Sequence, residues 1–211
     1  MVERSDDAAV MTAPTDGREL RRQGRKTMAK LLEAGMTVLA ERGYHAARVD
    51  DVVRTADVSH GTFYLYFSNK EELFQALAVQ CADEMTDLAR SLGPVTPDDE
   101  GLAALRAWLA SFVDCYGRYG VVIRAWMEDQ VTGRELARLG GRTFTAVTAA
   151  LVARIDEARP GRGPQAELDA AALLAMIERF TYFTTSRSVG FEHDTMLDTL
   201  ARLVHRGFFG G

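Results

Sequence analysis

From residue 20 to residue 92 the apolar positions recur at helical spacing, cut by short polar breaks. Leu31, Ala34, Val38 and Leu39 form one stripe, and Gly43 stands where it stops, so a helix over 20–42 is expected. Val49, Val52, Val53 and Ala56 repeat the spacing in a second, short helix, which Asp57-Val58-Ser59 interrupts. The Ser59 hydroxyl can satisfy a free amide in the first turn of a third helix. That helix sets Phe63 and Phe67 four apart on one face and Thr62 and Tyr66 on another, with His60 and Tyr64 beside them. Ser68 followed by Glu71 spells a capping box for a fourth helix, whose buried face continues through Leu73, Phe74, Leu77 and Cys81 toward residue 92.

Gly93-Pro94-Val95-Thr96-Pro97-Asp98 is a clear break. Longer apolar helical patterns follow at 98–118, 120–129 and 132–158, and after a Pro/Gly loop at 160–164 come two more at 166–188 and 193–208. Alternation with period two never lasts, and no internal repeat is present. The chain is therefore expected to be all-α. It divides into a polar N-terminal arm over 1–17, expected to be disordered, a three-helix head over 18–70 and a larger helical body over 71–211.

Composition narrows the chemistry. The chain has 211 residues, 47% hydrophobic and 26% charged, which is ordinary for a soluble globular protein. No apolar run approaches a membrane span, and the N-terminus lacks an apolar leader, so a cytoplasmic protein is expected. The formal charge of −5 conceals an asymmetry. Residues 18–70 hold ten basic and six acidic side chains, a net +4, which leaves −9 for the remainder. A basic head on an acidic body suits a head that meets DNA. An inward aromatic pair behind an outward Thr/Tyr/His face likewise suits a helix-turn-helix whose second helix enters a major groove. Cys81 and Cys115 have no ligand-like neighbours, the four histidines show no metal spacing, and GxSxG and phosphate-loop motifs are absent. An enzyme is not expected, nor is a metal or cofactor.

The run from Gly43-Tyr44 through Val49-Asp50-Asp51-Val52 and Ala56-Asp57-Val58-Ser59-His60-Gly61-Thr62-Phe63-Tyr64-Leu65-Tyr66-Phe67-Ser68-Asn69-Lys70-Glu71-Glu72-Leu73 resembles the TetR family of bacterial transcriptional regulators. The resemblance covers roughly residues 20–77, and the body shares only the family's length and helix plan. It implies a homodimer on a pseudo-palindromic double-stranded operator, usually a repressor released by a small ligand. The chain departs from the family pattern in two places. Ala47 and Arg48 stand where threonines often precede the second helix and a hydroxyl caps it, and Asp57 stands where the turn usually has glycine. Arg48 cannot cap but can meet the same phosphate, and Asp tolerates the left-handed conformation.

Contacts that position the head differ from those that specify sequence. The resemblance implies a phosphate contact for Lys70. Tyr64 and Tyr66 can bond phosphate or pack on sugar and thymine methyl groups, while His60 and Thr62 can reach base edges or nearby phosphates. Gly61 allows close backbone approach beside Ser59. Arg25 and Thr27 can reach flanking phosphates, with Arg21-Arg22 along the adjacent minor groove. His60 has a structural alternative as a partly buried helix-start residue.

In the body, Trp108, Phe112 and Tyr116 step by four along one helix. Trp126 and Met127 come next, then Phe144 with Val147 and Leu151, and then Met176, Phe180 and Phe183. Such stripes are more often solid core than cavity. The resemblance instead implies an effector pocket here, and its aromatic and Met-rich lining points to a hydrophobic small molecule. Tyr116, Thr148, Glu178, Arg179 and Thr184 are the polar groups that could orient it. For the Glu178-Arg179 pair, a salt bridge and a ligand contact remain open. The last two helices offer Leu168, Ala171, Ala172, Ala175, Phe183, Leu197, Leu200, Leu203 and Val204 for a four-helix dimer contact. The competing reading is a DNA-binding regulator whose body has a filled core and answers to a protein partner.

Overall fold

The computed structural model describes residues 15–127, 134–186, 190 and 192–210, with side chains described from residue 22 onward except those of Trp126, Met127 and Ser186. Every regular element among the described residues is helical. Most of the arm expected over 1–17, residues 1–14, lies outside the described residues. None of the described helices is long and apolar enough to cross a membrane.

Helix α1 (Thr15–Ala46) buries the expected stripe of Leu31, Ala34, Val38 and Leu39. Gly43 breaks it in a left-handed conformation, φ 72°, that few other residues adopt without cost. Helix α2 (Val49–Ala56) faces inward with Val52, Val53 and Ala56. Helix α3 (His60–Tyr64) is a short segment whose turn is prolonged by Phe67 N–H donating to Phe63 O at 3.0 Å. Helix α4 (Lys70–Ser91) leads out of the head into the body.

The start of α4 differs by one residue from the Ser68/Glu71 capping box. Asn69 is the cap and accepts from Glu72 N–H at 2.8 Å, while the Glu72 carboxylate reaches back to Ser68 N–H at 2.6 Å. That backbone bond holds the Glu72 carboxyl below its ordinary range. Glu71 instead accepts from the Tyr44 hydroxyl at 3.4 Å.

Helix α5 (Asp99–Met127) runs unbroken where two helices, 98–118 and 120–129, were expected. Gly117 and Gly120 weaken the helix locally, by about 1 kcal/mol each. Burial of Cys115, Tyr116, Tyr119 and Val122 around them outweighs that penalty. Helices α6 (Arg134–Ala158), α7 (Pro164–Ser186) and α8 (His193–Val204) complete the body, and a π-helical turn, His205–Phe209, closes it.

Two apolar cores meet along α4 and α5. The first joins α1–α4 with Cys115, Tyr119, Val122 and Ala125 of α5. The second packs Leu105, Leu109 and Phe112 of α5 against Leu151 and Ile155 of α6, Leu173 and Ile177 of α7, and α8. Leu197, Leu200 and Val204 are buried in this second core, so they do not serve the dimer face expected of them. Packing of α8 onto its own protomer consumes that stripe, with Arg106 of α5 bonding Asp194 at 3.1 Å and pairing with Asp198. Leu168, Ala172, Ala175, Phe183 and Leu203 remain exposed.

Candidate nucleic-acid interface and effector cavity

Local chemistry fixes the turn between α2 and α3. Asp57 adopts φ 52°, ψ 55°, and its N–H closes the end of α2 on Arg54 O. Val58 N–H donates to Val53 O at 3.1 Å. Ser59 then caps α3, its Oγ accepting from Thr62 N–H at 3.1 Å and lying 2.9 Å from Thr62 Oγ1. Phe63 and Phe67 are buried, their ring centroids 5.7 Å apart. With those rings inward, the opposite side of α3 presents His60, Gly61, Tyr64 and Leu65 to solvent. Leu65, 82% exposed, was not among the expected contacts. Its position midway between Phe63 and Phe67 was the available signal, because it must point away from both.

The expected DNA-facing residues fall into two groups. Arg25, Arg48, Ser59, His60, Gly61 and Tyr64 are exposed around α3 and its neighbours. Arg48 caps α2 by backbone alone, without a side-chain bond. The rest are held by the protein to differing degrees. Thr27 Oγ1 donates to Gln23 O at 3.1 Å within its own helix. Thr62 is half-buried. Tyr66 packs against the head core, and a Cβ at Gly24 of α1 would stand 3.5 Å from its hydroxyl. His60 of the exposed group is also tethered, its Nε2 lying 2.8 Å from Asp50 Oδ1 and tying the start of α3 to α2.

Lys70, expected to meet phosphate, is the most heavily bonded of the group within the head. Its ammonium donates to the carbonyls of Tyr44, His45 and Ala47 at 3.0, 3.3 and 3.2 Å and sits 4.8 Å from the Tyr44 ring centre. An ammonium has three donors. All three cap the end of α1 and bind it to the start of α4. A second cluster was not anticipated from sequence: buried Asp51 pairs with Arg42 at 3.3 Å and with Arg54, both of which stay exposed.

In the body an open cavity of about 710 Å³ lies between α4, α5, α6 and α7. Of the residues expected there, Phe112, Tyr116, Phe144 and Glu178 line it, together with Val147 and Arg179. Trp108 does not, because its indole N–H donates to Leu88 O at 2.8 Å inside the second core. Met176 and Phe180 pack against the same core, and Phe183 is exposed. Thr148 lies off the cavity with a buried hydroxyl that has no partner among the described residues, and Thr184 bonds back to its own helix. The Trp126 and Met127 side chains fall outside the described ones.

Sequence reading missed Cys81 and Met85 of α4, Ile123 of α5, Gly140 and Thr143 of α6, and Leu174 of α7. Ala171 and Ala175, expected at the dimer face, also line the cavity. Small residues at 140, 171 and 175 open the space, a signal visible only once the helices are packed. Burial pushes the Cys81 thiol up to about 12 and Cys115 up to about 11. Burial, then the hydrogen bond to Glu178, raises the Tyr116 phenol well above its ordinary range.

No group of three metal-ligating side chains occurs among the described residues. Residues 31–77 match the family model described as "Bacterial regulatory proteins, tetR family". The fatty acid metabolism regulator protein of Bacillus subtilis is 39% identical over 56 residues, which span 26% of this chain and only 29% of that relative. The HTH-type transcriptional regulator EthR of Mycobacterium tuberculosis is 26% identical over 210 residues, 96% of each chain. Among solved structures, a transcriptional regulator (TerR/AcrR family) from Aquifex aeolicus superposes with a TM-score of 0.66 at 18% identity, covering 86% of this chain and 99% of that one. At that identity the likeness bears on the fold.

Proposed function

We propose that this chain, which belongs to the TetR family of bacterial transcriptional regulators, is a cytoplasmic repressor that binds a pseudo-palindromic operator as a homodimer and is released by a hydrophobic small molecule. The observation that carries this reading is the course of α4. Its first residue, Lys70, clamps the end of α1 in the head, and one side of it, at Cys81 and Met85, walls the cavity. Eleven and fifteen residues at helical rise set those points about 16 and 22 Å from Lys70. A ligand that displaces the wall at Cys81 and Met85 therefore acts on a rod fixed to the head.

Arg25, Arg48 and Tyr64 supply phosphate and sugar contacts, and Gly61, Thr62 and Leu65 lie closest to the bases. Ser59 and His60 shape the entry of α3. Lys70 holds the head rigid, in place of the direct phosphate contact expected of it. Two heads about 34 Å apart reach successive turns of one duplex face, which requires a dimer. The exposed stripe of Leu168, Ala172, Ala175 and Phe183 on α7, with Leu203 of α8, is suited to that contact. An open apolar cavity supports a small molecule as effector over a protein partner acting on a filled body.

The test is a selection of genomic fragments on the purified protein, followed by anisotropy titration of the recovered sequence and light scattering of the free protein. The reading expects saturable, sequence-selective binding by two protomers that weakens steeply with salt. Leu168→Glu is expected to yield monomers and to abolish selective binding. Equal, weak binding to all fragments by a monomeric protein would overturn it.

A further inference from the structure

The polar groups in the cavity wall are unevenly used, and the unevenness specifies what kind of ligand head they can satisfy. Four side chains with nitrogen or oxygen atoms line the space, Tyr116, Thr143, Glu178 and Arg179, beside the weakly donating Cys81 thiol. The Tyr116 hydroxyl donates its proton to Glu178 Oε1 at 2.9 Å. Thr143 Oγ1 donates its proton to Leu139 O at 3.0 Å, within its own helix. Both hydroxyls are thereby left as acceptors. Glu178 Oε2 has Arg179 Nε at 3.7 Å, an ion-pair distance too long for a hydrogen bond.

The two side chains of that pair sit at different depths. Glu178 is 17% exposed and Arg179 70% exposed, so the guanidinium's charge is screened by solvent while the carboxylate faces the cavity. Arg179 also lies over the Tyr182 ring, 5.2 Å from its centre. Arg124 stacks on the same ring at 5.6 Å and touches the Tyr116 hydroxyl, but it lines a separate cleft beside Met36 and Ala40 of α1. The cavity proper is thus apolar, with an acceptor-rich end formed by Tyr116 and Glu178 on facing helices.

We propose that the cavity takes a lipophilic amine, its alkyl or aryl part among Phe112, Ile123, Val147 and Leu174 and its ammonium donating to Glu178 Oε2. This deepens the effector reading above and rests on it. An ammonium brings donors and no acceptor, which matches Glu178 Oε2 and the two hydroxyls whose protons are given away, the Arg179 guanidinium on the same wall standing 70% exposed to solvent. A carboxylate head would meet the Glu178 carboxylate and two hydroxyls with no proton to offer, and could pair only with the solvent-screened Arg179. A neutral alcohol would gain the same apolar burial without the charge-assisted bond.

The experiment is calorimetric titration of the purified full-length protein with decylammonium, decanol and decanoate, each below its aggregation concentration. The variants Glu178→Gln and Ala171→Phe are titrated alongside. Gln keeps an oxygen for the Tyr116 hydroxyl, and Phe at 171 fills the cavity. The expected result is decylammonium binding about tenfold more tightly than either other probe, the size of one charge-assisted hydrogen bond. Glu178→Gln should erase the difference between amine and alcohol, and Ala171→Phe should weaken all three probes. Tighter binding of decanoate, or an amine preference that survives Glu178→Gln, overturns the amine assignment and leaves the cavity as an effector site. Failure of every probe to bind, or binding indifferent to Ala171→Phe, overturns the effector-cavity reading together with it.

Discussion

Lys70 and Arg48 are two cations on the same head whose surroundings give them different work. Lys70 donates to three carbonyls at the end of α1, whereas Arg48 leaves its guanidinium exposed beside α2. Replacing Lys70 with Met should therefore lower stability by about 1–2 kcal/mol, read as a shift of the urea midpoint, because charge-assisted bonds to the helix end are lost. Arg48→Ala should leave the urea midpoint nearly unchanged. It should instead weaken DNA binding and reduce the magnitude of the salt slope by about one. The opposite assignment, with Lys70→Met neutral for stability and Arg48→Ala destabilising, would reverse the roles given to them here. From sequence both were charged side chains near a groove-facing helix. Only the packed end of α1 distinguishes the anchor from the cation left exposed.

Among the elements, α5 shows how packing overrides local preference. Gly117 lies on an open side of the helix, where an added Cβ meets nothing within 4 Å. Gly117→Ala should stabilise the protein by up to about 1 kcal/mol through helix propensity. Gly101, in the first turn, is the reverse case: an added Cβ would fall 1.9 Å from Thr96 O of the incoming loop. Gly101→Ala must displace that backbone and should lower the melting temperature by several degrees, a paired melting experiment that separates the two glycines. The helices of the head were legible because caps, left-handed turn residues and apolar spacing all act within a few residues of one another. Ser59, Asp57 and Gly43 each do in the structure what their chemistry allows locally. The joined α5, the burial of Leu197 and Leu200, and the cavity wall were not legible. Each depends on which helix lies opposite, and Ala171, Ala175 and Gly140 signal a cavity only when they converge.

At the scale of the whole molecule, the contact zone of the two cores holds several acids that are neutral when folded. Burial raises Cys81 and Cys115 from an ordinary 9.0 to about 12 and about 11, and burial with the hydrogen bonds to Glu178 and Glu84 raises Tyr116 and Tyr119. Groups with raised folded values contribute stability that is intact below the unfolded value and is lost as pH climbs through the folded one. Stability should therefore hold up to about pH 9 and fall progressively toward pH 11–12, seen as a declining urea midpoint. In the neutral range the same two thiols should react slowly with iodoacetamide unless the protein is unfolded.

The head, the rod of α4 and the cavity together make one claim, that occupancy of the body changes the grip of the head on DNA. A ligand can shift that equilibrium only by its difference in affinity for the DNA-bound and released states. The most direct test is an anisotropy titration of the protein on its selected operator across a salt series, with and without a saturating cavity ligand. Sequence-selective binding by a dimer with a steep salt slope is expected, with release on adding ligand that Ala171→Phe suppresses. Binding that is unselective, or that is selective but indifferent to every ligand shown to occupy the cavity, would contradict the claim.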